Sequence, residues 1–392
     1  MFGSGIQFNR RELSGAFGDL GTDLPLITGL VLACGMDPNG VLIVFGLMLV
    51  FSGAFYQLPM PVQPLKAVAA LAIVGGMQAS VIHGAGLAIG AIMLVLTATG
   101  MLDRLRFGVP KAVIRGIQLG LGLQLGWLAL SRYVPSAGLT GWALAAASGG
   151  LVLVLVGNHK CPPALPIVAL GAVYALVVKP DLGNWSGSFA LSLPSLTCPS
   201  PGDIATGFLL LALPQIPLSI GNSVLATHQM AGDLFPERPI RLRTLGYTYS
   251  LFNLVAPFVG GIPVCHGSGG MAGHYVFGGR SGGSVLMYGS LLLILGMAGL
   301  GWVLRAFPLP VLGVMLLVEA IVLMGFVRDL VVQRYDLAVA LLVAVIALTV
   351  PYGFVVGMIV GTALAKAPPR WRRILGPGLE TKTEEAVDGQ AH

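Results

Sequence analysis

The chain has 392 residues, of which 55% are hydrophobic and only 10% are charged. Because an ordinary soluble domain carries roughly 25% charged residues, this composition excludes a soluble globular protein and predicts an all-α polytopic membrane protein. The net charge is +6. In a membrane protein, lysines and arginines collect mainly in cytoplasmic loops, so this charge is expected to reflect topology and no nucleic-acid partner is expected.

Apolar runs separated by glycine, proline and charge predict about fourteen transmembrane segments, because roughly 20 apolar residues are needed to cross the hydrocarbon of a bilayer. They are expected near 12–33, 39–57, 62–76, 81–101, 110–131, 141–157, 163–178, 203–229, 241–259, 264–277, 283–303, 308–326, 334–350 and 352–366. The third and tenth segments are too short to cross alone, which predicts half-helices. Since the first run continues into this series, no removable signal peptide is expected.

Two carboxylates lie in the first segment. Asp19 and Asp23 are four residues apart and share a helix face, unless the helix unwinds at a glycine. A carboxyl group inside a membrane can bind and release a proton, so this pair is the leading candidate for proton coupling. The alternative is a structural ion pair with Lys66. Glu319, in the twelfth segment, is a further candidate with the same alternative.

Three prolines precede the short third segment, within Gln57–Lys66. Proline removes backbone donors and fixes the entry of a helix, so this stretch predicts extended chain that leads into a half-helix beginning inside the membrane. Lys66 would add a full positive charge at that start and is a candidate substrate-binding residue. The alternatives are that Lys66 extends to an interface or pairs with a carboxylate in the core.

Neutral polar side chains complete the candidate set. Gln63 in the third segment and Gln215, Ser219 and Asn222 in the eighth can donate hydrogen bonds to an oxyanion. The alternative for each is an interhelical hydrogen bond with no role in binding.

The tenth segment begins in a glycine-rich stretch, Gly260–Gly270. Its free backbone amides, together with the positive ends of two half-helix dipoles, would form a site for an anion. The candidate binding residues here are Cys265, His266, Gly267, Ser268 and Gly269. The glycines can instead serve close helix packing, and His266 can be a proton carrier or a hydrogen-bonded structural residue.

Charge predicts the orientation of the segments. If the N-terminus is cytoplasmic, 18 of the 22 lysines and arginines fall in predicted cytoplasmic loops. Three fall in predicted outside loops, namely Arg132, Lys179 and Arg305, and Lys66 falls within a span. Basic residues concentrate on the cytoplasmic side of membrane proteins. The expected location is therefore the inner (plasma) membrane, with both termini in the cytoplasm.

The two halves of the sequence resemble each other. Asp23 to Pro25 matches Gln215 to Pro217, a shift of 192 positions, and Pro61 matches Pro263, a shift of 202. Seven segments per half place the second copy upside down, as in many secondary transporters with a site at the membrane midplane. We therefore predict a first inverted repeat at 1–178, an extracellular linker at 179–202, a second repeat at 203–366 and a cytoplasmic tail at 367–392.

A metalloenzyme and an ion channel are the two alternatives to a transporter. An intramembrane metalloenzyme would use Cys265, His266 and His274, but the sequence has no HExxH arrangement there, so neither an enzyme nor a metal or other cofactor is expected. An ion channel would need no coupling carboxylates and would conduct passively. Solute counterflow against electrical current distinguishes a channel from a carrier.

Three segments, Glu12–Pro25, Pro61–Ala67 and Gly261–Gly273, resemble the signature segments of the molybdate transporter family of plants and bacteria, a branch of the sulfate permease superfamily. The resemblance covers nearly the whole chain. The tail after Lys366 is too short for the cytoplasmic regulatory domain of the wider sulfate permeases, which is typical of the molybdate branch.

The resemblance implies a seven-plus-seven inverted-repeat fold, like that of the uracil permease and sulfate permease proteins, and often a homodimer. It implies a core domain, here segments 12–101 and 203–303, that moves against a gate domain, here segments 110–178 and 308–366. The implied function is import of molybdate, with a site between the half-helix starts that faces Thr22 and Gln215. Sulfate and tungstate share the shape and charge of molybdate, so a sulfate or general anion transporter on the same fold is the alternative.

Overall fold

The computed structural model of the protein describes residues 5–102, 110–155, 164–178 and 191–367, without the side chain of Asn222. Residues 179–190 of the predicted linker and the predicted tail after Ala367 lie outside the described residues.

The described chain is mainly helical. Its helices are α1 (Arg10–Ala16), α2 (Leu20–Cys34), α3 (Pro38–Tyr56), α4 (Lys66–Gly75), α5 (Ala79–Ala98), α6 (Lys111–Leu128), α7 (Gly138–Leu155), α8 (Ala164–Val178), α9 (Pro201–Gly207), α10 (Leu213–Leu218), α11 (Ala226–Leu234), α12 (Leu242–Val255), α13 (Ser268–Val276), α14 (Gly283–Met297), α15 (Trp302–Ala306), α16 (Leu309–Gly325), α17 (Arg334–Thr349) and α18 (Gly353–Ala365). Stretches of π-helix occupy Ala129–Tyr133, Phe208–Ala212 and Ser219–Leu225, and 3₁₀ turns occupy Val134–Ala137, Ala256–Val259 and Phe326–Leu330. Two short strands, β1 (Gln63–Pro64) and β2 (Val264–Cys265), complete the fold.

Six helical stretches are long and apolar enough to cross a membrane by length and composition. They are Arg10–Cys34, Pro38–Tyr56, Ala79–Ala98, Lys111–Leu155, Pro201–Leu234 and Leu309–Leu330. Each of the fourteen predicted segments contains helix in the structure. The count of fourteen spans and their inverted order remain predictions.

Two predicted segments are interrupted. The first is broken between α1 and α2 at Phe17–Asp19, where a Cβ on Gly18 would overlap the carbonyl of Gly273, so the chain approaches α13 through a glycine. The eleventh was expected to continue to residue 303, but α14 ends at Met297, close to Gly299, which has a left-handed φ of 73°.

The half-helices and the strands before them form a connected pair. α4 has 10 residues and α13 has 9, so both are too short to cross a bilayer, as predicted. β1 pairs antiparallel with β2, with Gln63 opposite Cys265 and Pro64 opposite Val264. Gln63 and Cys265 are separated by the same 202 positions as Pro61 and Pro263. The pairing therefore brings matching positions of the two halves side by side.

Glycines also bring long helices together. α3 and α14 form the most extensive helix pair, and a Cβ on Gly46 would lie 2.6 Å from the backbone nitrogen of Leu293 and 2.7 Å from the carbonyl of Gly289. Small residues let backbones approach this closely inside a membrane, where hydrophobic burial does not drive helix association.

The chain forms two compact units, Met1–Arg106 with Leu125–Glu319, and Phe107–Gln124 with Ala320–His392. In the second unit, α17 packs against α18, and Arg115 of α6 forms an ion pair with Asp329. All contacts of the candidate site described below lie within the first unit.

Candidate functional site

The paired strands are fixed by one buried side chain. Asn253 of α12 donates from Nδ2 to the carbonyl of Val264 (2.7 Å) and accepts at Oδ1 from the backbone N–H of Val264 (2.9 Å). On the other side, the N–H of Leu65 donates to the carbonyl of Pro263 (3.0 Å). Because these backbone groups are buried, their hydrogen bonds set where both half-helices begin.

We expect Asn253→Ala to lower thermal stability, because it leaves the N–H and C=O of Val264 without these partners. An unsatisfied buried polar group costs about 1–3 kcal/mol. Thermal unfolding of the detergent-purified protein measures the change. The matched control is Ser250→Ala on the same helix, since the Ser250 hydroxyl is also buried but donates only within the helix, to Gly246 (2.7 Å). Equal midpoints for the two variants would contradict the assigned role of Asn253.

The start of α4 already holds an acceptor. The N–H of Ala67, in the first turn of the helix, donates to Oε1 of Gln215 (2.8 Å). Gln215 lies in α10 between two π-helical stretches and donates from Nε2 to Ser219 (3.1 Å), whose hydroxyl is 2.6 Å from that of Tyr249. Gln215 and Ser219 thus form interhelical hydrogen bonds, and Gln215 occupies one amide of the predicted anion site.

Lys66 is the first residue of α4, and its ammonium is paired. Nζ donates to Oε1 of Glu319 at 2.5 Å, and the hydroxyl of Thr22 donates to Oε2 of the same carboxylate at 3.3 Å. The Lys66 side chain is 16% exposed and that of Glu319 is 4% exposed, so this pair is largely removed from water. Its partner is thus a residue of the twelfth segment, and neither Asp19 nor Asp23 makes the direct contact.

The start of α13 lies against Asp19. The Oδ1 atom of Asp19 accepts from Nε2 of Gln63 (2.6 Å), and a Cβ on Gly270 would overlap Oδ2 of Asp19. A Cβ on Gly267 would in turn overlap Oε1 of Gln63. These two glycines therefore admit the side chains of Gln63 and Asp19 to the helix start, whereas no atom lies within 4 Å of a Cβ built on Gly269. The space beside Gly269 is open to an incoming group.

Asp23 is fully buried one turn beyond Asp19. The hydroxyl of Tyr288, on α14, lies beside it, and Asp23 also interacts electrostatically with Asp19 and Lys66. The two aspartates, Lys66 and Glu319 thus form one cluster of ionisable groups within the first unit.

His266 is held by hydrogen bonds at both ring nitrogens. Nδ1 lies 3.0 Å from the carbonyl oxygen of Pro61, and Nε2 lies 2.8 Å from the hydroxyl of Thr248. A carbonyl only accepts, so Nδ1 carries the hydrogen and Nε2 of the neutral ring accepts from Thr248. This geometry favours the structural alternative for His266, since neither nitrogen is directed to an open site.

Cys265 and Ser268 are the other predicted binding residues whose side chains the structure describes. Cys265 is a buried free thiol beside Ser223, and Ser268 is the first residue of α13. The side chain of Asn222 lies outside the described part of the structure. Among the described residues, no group of three or more His, Cys, Asp or Glu is arranged to hold a metal ion.

Sequence reasoning missed Tyr249, Tyr288 and Asn253. Tyr249 and Asn253 are four residues apart on α12 and so share a face, which is a signal for a polar side of that helix. Tyr288 has a similar signal, because Ser284 lies four residues before it in α14 and shares its face.

Comparison with known proteins gives consistent matches in sequence. A family model described as "Molybdate transporter of MFS superfamily" matches residues 11–125 and 207–323. Molybdate transporter 1 of Arabidopsis thaliana is 34% identical, over 81% of this chain and 80% of that protein, and Molybdate transporter 2 of the same plant is 34% identical, over 86% and 83%. Molybdate transporter 1 of Chlamydomonas reinhardtii is 30% identical, over 95% and 96%.

Solved structures with a similar fold include the transmembrane domain of a cyanobacterium bicarbonate transporter, BicA. It has a TM-score of 0.65 and 17% identity, and the match covers 92% of this chain and 99% of that chain. SLC26A9 has a TM-score of 0.67 and 16% identity, with 91% of this chain and 64% of that chain covered. At these identities the likeness shows the fold alone.

Proposed function

Because this chain belongs to the molybdate transporter family, we propose that it imports molybdate across a membrane as a secondary active transporter. It is a multi-pass membrane protein whose named relatives are transporters and not enzymes. The proposed location is the inner (plasma) membrane with both termini in the cytoplasm, and the proposed assembly is a homodimer.

One observation carries the proposed site: two half-helices begin at a shared pair of strands, with Lys66 as the first residue of α4 and open space beside Gly269 at the start of α13. A tetrahedral dianion presents four oxygens that accept hydrogen bonds. Backbone amides, helix dipoles and an ammonium group can together neutralise it in a region that excludes water. We assign Thr22, Gln63, Gln215 and Ser219 to this site because their hydrogen bonds connect to Glu319, Asp19 and the start of α4. Cys265, Ser268 and Asn222 complete the proposed set.

The proposed mechanism is alternating access coupled to protons. A core domain would carry the anion past a gate domain; the core consists of 12–101 and 203–303, and the gate of 110–178 and 308–366. Each of the two inverted repeats, 1–178 and 203–366, would contribute to both domains. Asp19 and Asp23 are buried in the first unit and interact electrostatically with Lys66. Carboxyl groups placed this way can load a proton with each anion and release it on the other side.

Uptake into proteoliposomes tests the proposed function. With the exterior more acidic than the interior, we expect radiolabelled molybdate to accumulate inside, and a collapsed proton gradient should leave only exchange. Tungstate should compete, because it has the same charge and nearly the same shape, and weak competition by a tenfold excess of sulfate would identify a site selective for molybdate. Protein-free liposomes supply the background.

Each alternative gives a different result in this assay. Strong inhibition by sulfate, with sulfate itself accumulated, would assign the chain to general anion transport. Electrical current without counterflow would identify a channel-like permease. Equal uptake with and without the proton gradient would remove the coupling step.

A further inference from the structure

The donors of the proposed anion site are already engaged by acceptors from the protein itself. The ammonium of Lys66 donates to Glu319, and the N–H of Ala67 donates to Gln215. The Asp19 carboxylate lies against Gly270 at the start of the other half-helix. Within the described residues, acceptors of the protein itself therefore bind the donors of Lys66 and Ala67, and one of these acceptors is a carboxylate that accepts directly from the lysine.

We propose that Glu319 is an internal counter-anion that molybdate must displace from Lys66, and that this exchange requires Glu319 to take up a proton. This inference rests on the proposed function and adds a role for a residue of the twelfth segment. The Glu319 carboxylate accepts from Lys66 at the place that one substrate oxygen would take. When molybdate binds, Lys66 donates to the molybdate oxygen instead, and the proton from solution neutralises Glu319.

The balance of charge explains why a proton is needed. Three carboxyl groups, Asp19, Asp23 and Glu319, share the ammonium of Lys66 as an electrostatic partner. A dianion brought beside an ionised Glu319 would meet like charge at short range in a medium of low dielectric constant. Protonation of Glu319 removes that repulsion at the moment when its contact with Lys66 is lost.

The contacts of Glu319 fit this exchange. Its second oxygen, Oε2, accepts from the hydroxyl of Thr22, which is neutral and lies on α2. This hydrogen bond can persist when the other oxygen is protonated, so Glu319 keeps a partner after Lys66 has moved to the substrate. The thiol of Cys265 also interacts with Lys66.

Calorimetric binding of molybdate to the full-length, detergent-purified protein between pH 6 and 8 tests the inference. If one proton is taken up with each anion, the apparent affinity of the wild-type protein should fall about tenfold for each unit of rising pH. The glutamine of Glu319→Gln is neutral at every pH, so this variant should bind molybdate about 10 to 100 times more tightly than wild type at pH 8. Its affinity for molybdate should not change with pH. The control is Asp329→Asn, which removes a carboxylate that pairs with Arg115 and Lys111, and should keep the wild-type slope.

A Glu319→Gln variant with the wild-type affinity and slope would overturn the inference while leaving the proposed function intact. A wild-type protein that binds no molybdate at any pH would instead refute the proposed function, and the inference with it. If Glu319→Gln does not fold, proton uptake by the wild-type protein, measured from binding heats in buffers of different ionisation enthalpy, decides the matter. About one proton per molybdate is expected, and none would overturn the inference.

Discussion

Replacement of Lys66 by alanine is expected to abolish measurable molybdate uptake, because it removes the ammonium that begins α4 at the proposed site. Truncating a buried, hydrogen-bonded charge costs about 2–5 kcal/mol of binding free energy, which is roughly 30-fold to several thousand-fold in affinity. The same change leaves Glu319 buried without its ion-pair partner, and breaking such a pair destabilises a protein by about 3–5 kcal/mol. Loss of uptake by this variant alone would therefore not separate binding from folding.

The double variant Lys66→Ala/Glu319→Gln separates the two effects. It removes both charges of the pair, so its thermal midpoint should return towards that of wild type, while molybdate binding by calorimetry should remain lost. A double variant that is as stable as wild type and binds molybdate with unchanged affinity would exclude Lys66 from the site. Recovery of neither stability nor binding would point to a role of the lysine in packing rather than in binding the anion.

Conversion of Asp19 and Asp23 to asparagine is expected to remove most proton-driven accumulation while sparing exchange. A proton that moves down a gradient of one pH unit supplies about 1.4 kcal/mol, so loss of one coupled proton per anion corresponds to about a tenfold loss of accumulation. Asparagine retains an oxygen that can accept from Nε2 of Gln63, so the contact that Asp19 now makes at 2.6 Å can be kept. The fold around the start of α13 should therefore survive.

Paired assays in proteoliposomes measure this effect: net accumulation under an imposed pH gradient, and exchange of labelled for unlabelled molybdate without one. Glu237→Gln serves as the control, because it removes an exposed carboxylate that lies in a loop. Full accumulation in the Asp19→Asn/Asp23→Asn variant would reject the coupling role of the pair. If accumulation instead disappears only in Glu319→Gln, coupling belongs to the residue that contacts Lys66.

The sequence alone identified the membrane-protein class, the two half-helices and the family. These features are local: apolar runs of sufficient length, prolines that end one element and start another, and signature segments such as Pro61–Ala67 can be read without knowing which parts of the chain meet. It also singled out many of the polar residues near the half-helix starts, but it missed Asn253, which holds the strand before α13. Ionisable and amide side chains are costly inside a membrane, so their presence in apolar segments is informative by itself.

Only the tertiary structure decided which of these residues are partners. Lys66 could have paired with Asp19, Asp23 or Glu319, and it contacts Glu319, which is 253 positions away. His266 could have faced the site, yet its ring nitrogens are bound by Pro61 and Thr248. Such choices depend on how helices distant in sequence pack, since a hydrogen bond needs its two atoms within about 3 Å. The order of residues along the chain supplies the groups, and packing selects the pairs.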